Sequence, residues 1–394
     1  MRILLCSSLS IEQRTANRNR LMRMSKALSE QGIEATLVGA QKGLGKVWDE
    51  VDTPGFPAIA YDPDLSKAKG ISPAMTRGRT AARFYRENLP ELVRHFSVDG
   101  IITYDAQAQV VESIRKAAGD RCFVVADMVE LFAVDMQRFL NGVSYQQWQL
   151  CRKVLPTLDG IVGISHGWCE WAEQRGLPHV WCPSFAEDCK FVRSDPSPPD
   201  QPFTICTVGY WWDREVPEGF LNAVPICVEN GVEVQLNAIG KTGQSRRERS
   251  AMKLHESNDV LKKRVNFLGF MTGDTLEKNL ADADAFVLLR HDTRETDMLF
   301  PTRLPELMVT GNPVILSKVR NFSGSFRHNH DICFVPATNR AEDVAEQIMF
   351  LANNPEKRLE IGRNGRMTVL QEFSLARLGT RLAEFLQKIK SGRK

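Results

Sequence analysis

Short apolar runs alternate with amphipathic stretches along the whole chain, and this alternation restricts the fold more than any single motif. Runs such as Ile3-Leu4-Leu5-Cys6, Cys122-Phe123-Val124-Val125 and Ala285-Phe286-Val287-Leu288-Leu289 show no polar alternation. They read as strands covered on both faces, the kind found in parallel sheets. Strands are expected at Arg2–Ser7, Glu34–Gly39, Gly100–Tyr104, Cys122–Asp127, Gly160–Ser165 and Val180–Pro183. A second series is expected at Thr204–Gly209, Val234–Gly240, Val265–Gly269, Ala285–Leu289, Pro313–Leu316 and Ile332–Val335. Helical spacing fills the gaps, as at Asn17–Ser29, Ala81–His95 and Gln107–Ala118. Parallel neighbours need such crossovers, so the fold class expected is α/β, two doubly wound domains.

The chain has 394 residues, more than the ~250–300 that one core usually organises. The division is expected at Arg193-Ser194-Asp195-Pro196-Ser197-Pro198-Pro199-Asp200-Gln201-Pro202, where four prolines in ten residues rule out a helix interior or a central strand. That places a first domain at 1–195, a second at 203–373, and a terminal helix at 374–394. Open α/β sheets bind ligands at the carboxyl ends of their strands, so two such domains are expected to border a ligand cleft.

Charge excludes some functions. The 51 Lys and Arg are nearly balanced by 48 Asp and Glu, a net charge of +3, which gives no basis for a nucleic-acid partner. Weak peripheral association with an anionic membrane stays open. Met1 to Cys6 runs straight into a polar segment and no apolar run reaches ~18–20 residues, so a cytoplasmic protein is expected, at most at the inner face of a membrane. The nine cysteines form no CxxC pair and read as small buried hydrophobes of a reduced compartment. No HExxH or comparable spacing occurs, so neither a metal nor a cofactor is expected. GxSxG, GxxxxGK[ST] and kinase signatures are also missing, which removes the motif basis for hydrolase or phosphotransferase readings.

The densest chemistry lies in Phe300–Ile315. A turn with Pro301 opens a short helix at Thr302, Arg303 and Leu304, which Gly311 stops and Pro313 keeps from continuing. Free N–H groups and the helix dipole there favour a phosphate. Arg303 adds a planar fork, and the Glu306 carboxylate suits ribose hydroxyls. Glu306-Leu307-Met308-Val309-Thr310-Gly311-Asn312-Pro313-Val314-Ile315 resembles the Glu-Ala-Met-Ala-x-Gly-x-Pro-Val-Ile run of the retaining glycosyltransferases of family 4. Val265-Asn266-Phe267-Leu268-Gly269 and Leu280–Val287 are similar to that family's framework. The family places a second acid eight positions before the Glu; here that position is Met298, with Asp297 and Glu295 within a turn of it.

The resemblance implies a GT-B fold, a nucleotide diphosphate-sugar donor in the second domain, and a saccharide or lipid-linked acceptor on the first. It also implies a terminal helix crossing back after Phe373-Ser374-Leu375, and a reaction in which the departing phosphate takes the acceptor proton on the same face. On the donor side it implicates Gly209 and Arg214, with Arg290 and Arg303 as further cations, and Thr302, Leu304, Glu306 and Phe270 around them. Asp127-Met128-Val129-Glu130-Leu131-Phe132 resembles the family's Asp-x-His-Glu-Leu-Phe turn, which makes Asp127 and Glu130 the catalytic candidates. The same spacing also fits a helix capping box. Arg14, Arg18 and Arg20 suit an anionic acceptor such as a lipid diphosphate, or equally a solvated helix face. His166, after Ser165, is an acceptor-side candidate or a residue of a helix start. Two rivals keep the fold: a nucleotide-sugar epimerase, and a non-catalytic scaffold suggested by Met298.

Overall fold

In a computed structural model the chain is described at all residues except 13–14, 54, 65–72, 132–141, 194, 196, 199, 210–214, 241–244, 321–323 and 394. It divides into two compact units. Unit 1 comprises Met1–Phe185, Met298–Phe300 and Leu375–Lys394, and unit 2 comprises Ala186–Asp297 and Pro301–Ser374.

Unit 1 is built on eight strands: β1 (Arg2–Ser10), β2 (Glu34–Ala40), β3 (Trp48–Val51), β4 (Ala58–Tyr61), β5 (Gly100–Tyr104), β6 (Phe123–Met128), β7 (Gly160–Gly163) and β8 (His179–Trp181). Their order is β3-β4-β2-β1-β5-β6-β7-β8, and every pair is parallel except β3 with β4. The two strands absent from the sequence expectation are β3 and β4. Trp48-Asp49-Glu50-Val51 is too polar to read as a central strand, and it occupies the sheet edge. Strand β4 is fully buried but only four residues long. The chain winds outward from β1 through β2 and then returns to β5, so the topological switch lies between β1 and β5.

The helix Leu375–Gly392 belongs to this unit. It buries Leu378, Leu382, Leu386 and Ile389 in the same core as Leu21, Met24 and Leu28 of the helix Ala16–Ser29. Gly379 permits the approach, since a Cβ there would lie 2.5 Å from the Ala27 carbonyl oxygen. Lys390 Nζ donates to Asp99 at 2.6 Å. No helix among the described residues is long and apolar enough to cross a membrane.

Unit 2 contains β9 (Phe203–Val208), β10 (Val234–Ile239), β11 (Val265–Gly269), β12 (Ala285–Leu288), β13 (Val314–Ser317) and β14 (Cys333–Val335). The sheet is parallel in the order β11-β10-β9-β12-β13-β14, with its switch between β9 and β12. The division between the units falls at Phe185/Ala186, before the proline-rich segment. Asp284 is buried and accepts from Arg193 Nη2 at 3.0 Å, from Ser197 Oγ and from the Thr204 amide at 2.8 Å. Arg358 Nη2 approaches the same carboxylate at 3.3 Å. A buried charge needs partners of this kind, and they tie Arg193 and Ser197 into unit 2.

The glycines of the helix Pro355–Glu372 have a packing cause. A Cβ on Gly362 would lie 1.9 Å from the Gly311 carbonyl oxygen, and one on Gly365 2.5 Å from that of Asp331. Both obstacles are backbone, so Gly362→Ala is expected to destabilise unit 2 by about 1–3 kcal/mol despite its better helix propensity. Urea unfolding measures this, and an unchanged midpoint would contradict the close approach.

Candidate functional site

In unit 2 the glycines at the carboxyl ends of three neighbouring strands shape the candidate site. Gly209 follows β9, Gly240 follows β10 and Gly269 ends β11, with φ of +121°, +150° and +74°. Gly209 N donates to the Ile239 oxygen and Gly240 N to the Gly269 oxygen, both at 2.8 Å. A Cβ on Gly240 would fall 2.2 Å from the Gly209 oxygen. All three positions disfavour side chains conformationally, and Gly240 excludes one sterically as well. The vacated space at Gly209 is filled by Arg303, whose Cζ and Nη1 lie 3.2 Å from where a Cβ would stand. The structure thus brings Gly209 and Arg303 together.

The start of the short helix differs from the sequence expectation. The helix starts at Leu304, not Thr302, and spans only Leu304–Met308. The Leu304 amide already donates to the Pro301 oxygen at 2.9 Å, and the Leu304 side chain is core, so Leu304 offers a ligand neither group. Thr302 and Glu306 are exposed and Arg303 half-buried, which shifts the expected positive charge from the helix end to the guanidinium. Phe270, after β11, is 63% exposed. Arg214 lies outside the described residues.

Arg290 follows β12 at the switch point. Its amide donates to Ser317 Oγ at 2.7 Å, and its carbonyl accepts from Asn339 Nδ2 at 2.8 Å. Its guanidinium approaches Glu215 at 3.5 Å. The next residue, His291, was not singled out from sequence. Burial, and then the nearby Arg247 guanidinium, hold its pKa below the ordinary histidine value. Its Nε2 is buried with no hydrogen-bond partner among the described residues. Arg247 pairs with Glu218 at 3.3 Å. Met298 is buried at 6% exposure, while Asp297 and Glu295 are half-buried in the four-residue helix Arg294–Asp297.

Unit 1 assigns its charges differently from either sequence reading. Asp127 accepts from Arg20 Nε at 2.8 Å and Nη2 at 2.7 Å, a two-pronged pair with side-chain exposures of 0% and 4%. Arg20 also donates to the carbonyls of Pro183 at 2.9 Å and Cys182 at 2.8 Å. Asp127 therefore neither caps a helix nor presents a vacant carboxylate, and Arg20 lies on no solvated face. The pair ties the helix Ala16–Ser29 to the ends of β6 and β8. Arg18 donates through Nε to the Ile11 oxygen at 2.6 Å and rests 5.3 Å from the Phe56 ring centroid. Its neighbour Arg14 lies outside the described residues. His166 opens the helix His166–Glu173, while Ser165 caps it by accepting from the Trp168 amide. The His166 ring stacks on Trp181 at 4.4 Å, and burial lowers its pKa.

Glu130 is half-buried and borders a cavity of about 250 Å³ together with Asp105, Tyr104, Arg77, Asn17 and Gln146. Asp105 is the residue that sequence reading missed here. It accepts from the amides of Ser8 at 3.2 Å and Gln107 at 2.9 Å. Burial nonetheless pushes its carboxyl above the ordinary aspartate value, against those hydrogen bonds and the nearby Arg77 charge. The available signal was its place, directly after the strand across the switch from β1.

The two sheets with these strand orders decide the architecture. The fold is GT-B. Sucrose-phosphate synthase from Thermosynechococcus elongatus superposes with a TM-score of 0.74 at 14% identity, over 99% of both chains. A glycosyltransferase from Rickettsia africae gives 0.71 at 13%, over 98% of both. HepE of Anabaena, solved in complex with UDP, gives 0.65 at 15%, over 98% of this chain and 100% of that one. Residues 190–368 match the family model described as glycosyl transferases group 1, a stretch confined to unit 2 apart from Met298–Phe300. Among curated proteins no sequence matches this chain.

Proposed function

We propose that the chain is a retaining glycosyltransferase that moves a sugar from a nucleotide diphosphate-sugar to a saccharide or lipid-linked acceptor. The observation that carries this reading is Arg303 seated in the side-chain-free notch of Gly209, in a stretch matched by the glycosyl transferases group 1 model. In this reading the donor's diphosphate lies at the carboxyl ends of β9 and β12, the position the switch-point rule favours. Arg303 neutralises the charge that grows on the leaving group, and Glu306 accepts from the ribose hydroxyls. The bond from the anomeric carbon to the diphosphate oxygen breaks as the bond to the acceptor oxygen forms on the same face, and the acceptor proton passes to the departing phosphate. Retention rests on the resemblance of Glu306–Ile315. UDP is the first diphosphate to test, because it is bound in the structure of HepE.

Ligand binding to the folded state raises apparent stability by about 2.7 kcal/mol at a hundredfold excess over Kd. UDP, GDP and ADP are therefore to be compared by thermal shift, each against its nucleoside. One diphosphate is expected to stabilise while its nucleoside does so far less; the absence of any diphosphate shift would sink the reading. NMR of the glycoside product then reads its anomeric configuration, and inversion would remove the retaining assignment. Met298, buried where the resembling family has an acid, favours one other reading, a scaffold that binds donor without turnover. Donor binding with no transfer and no hydrolysis would select it.

A further inference from the structure

We infer that residues 143–157 form a docking surface for an anionic phospholipid membrane, with Tyr145 and Trp148 entering the headgroup layer and Arg152 and Lys153 meeting its phosphates. The inference stands apart from the donor reading, since all four residues belong to unit 1. The segment follows β6 and precedes β7. Its helix Val143–Gln149 widens into a π turn at Leu150–Val154 and closes on a 3₁₀ turn at Leu155–Thr157. Gln147, Leu150, Val154 and Leu155 are buried and fix its inner side. Tyr145, Trp148 and Arg152 are exposed, and their spacings of three and four put them on one face.

Single exposed apolar residues need no explanation, but this pair does. Tyr145 is 55% and Trp148 49% exposed, and among the described residues of unit 1 no other Phe, Trp or Tyr is exposed. Their rings stack with centroids 6.1 Å apart. Gln149 Nε2 donates to the Tyr145 hydroxyl at 2.9 Å, and Lys153 Nζ lies 5.6 Å from the Trp148 ring centroid. Aromatic rings with polar tips, flanked by cations, are what the boundary between water and lipid selects. A glycan would need a bare ring face to stack on, whereas the Trp148 face already carries an ammonium.

The cations fit an anionic surface. Residues 143–157 contain Arg152 and Lys153 and no Asp or Glu. Lys153 also borders a depression of about 300 Å³ shared with Arg115 and Lys116 of the helix Ala108–Ala118. The one carboxylate lining it, Glu112, accepts from Lys116 Nζ at 2.6 Å. Arg115 is committed to the carbonyls of Thr157 and Gly119. Arg152 and Lys153 pair with no carboxylate among the described residues, which leaves their charge for lipid phosphates.

The test is sedimentation of the full-length protein with vesicles of phosphatidylcholine alone and of phosphatidylcholine mixed with phosphatidylglycerol. Binding to the anionic vesicles is expected to exceed binding to the neutral ones by about tenfold or more, and to weaken as salt rises. Trp148→Ala should lower the partition constant about tenfold and Lys153→Gln about fivefold, the share of one cation. Both side chains are exposed, so melting temperatures should stay at the wild-type value. Lys388→Gln, on the helix Leu375–Gly392, removes the same charge elsewhere on unit 1 and should leave partition unchanged. Equal binding to the two vesicle types, partition unchanged in Trp148→Ala, or equal losses for Lys153→Gln and Lys388→Gln would each overturn the inference. So would self-association or glycan binding that depends on Trp148 in a protein that ignores vesicles, since either gives the face to another occupant. Because the readout is lipid binding, a missing diphosphate response leaves it untouched.

Discussion

Arg20→Met is expected to lower the stability of unit 1 by about 3–5 kcal/mol, because it strands the Asp127 carboxylate in the core with no counter-charge. The guanidinium meets both carboxylate oxygens and two carbonyls beyond β8, so no water-accessible group is available to replace it. Asp127→Leu combined with Arg20→Met should recover much of the loss, since an apolar pair of similar volume avoids the desolvation of two ions. Urea unfolding of the two single variants and the double variant gives the coupling energy directly. Singles that each cost less than about 1 kcal/mol would show that the pair is a surface-like contact, against the burial seen here.

The second large effect concerns the donor. Arg303→Ala should weaken UDP by about ten- to hundredfold, the loss expected for a charge-assisted contact, with little change for uridine. Lysine at 303 should restore only part, because an ammonium cannot fork across two phosphate oxygens or lie flat against the Gly209 backbone. Glu306→Gln should reduce donor use by about tenfold with binding of inorganic diphosphate untouched. Equal losses for uridine and UDP at position 303 would take Arg303 off the phosphates. Isothermal titration of the folded variants supplies each number.

The sheets were legible because their central strands are continuous apolar runs, and nothing else in the chain competes for that pattern. What escaped was short or locally ambiguous. Strand β3 is polar and β4 brief, and each depends on a neighbour for its pairing. The turn into a short helix near Arg303 was legible because a strand, a proline turn and a glycine stop fall within sixteen residues. The helix length was not, since the Pro301 carbonyl takes the Leu304 amide before a full turn can form. Arg20 and Asp127 are 107 positions apart, and no local rule joins a basic residue on one helix to an acid ending a strand. Asp105 was overlooked because its signal is topological, and it becomes informative only once β1 and β5 are known to flank the switch.

The anchoring of Arg193 and Ser197 to Asp284 gives the proline-rich stretch a role that composition conceals. Arg193 and Ser197 hold one carboxylate neutralised, so an insertion that displaces either should behave like a core lesion. A fragment beginning at Phe203 would carry Asp284 and Arg358 without two of their partners, whereas one beginning at Ala186 would keep the set whole.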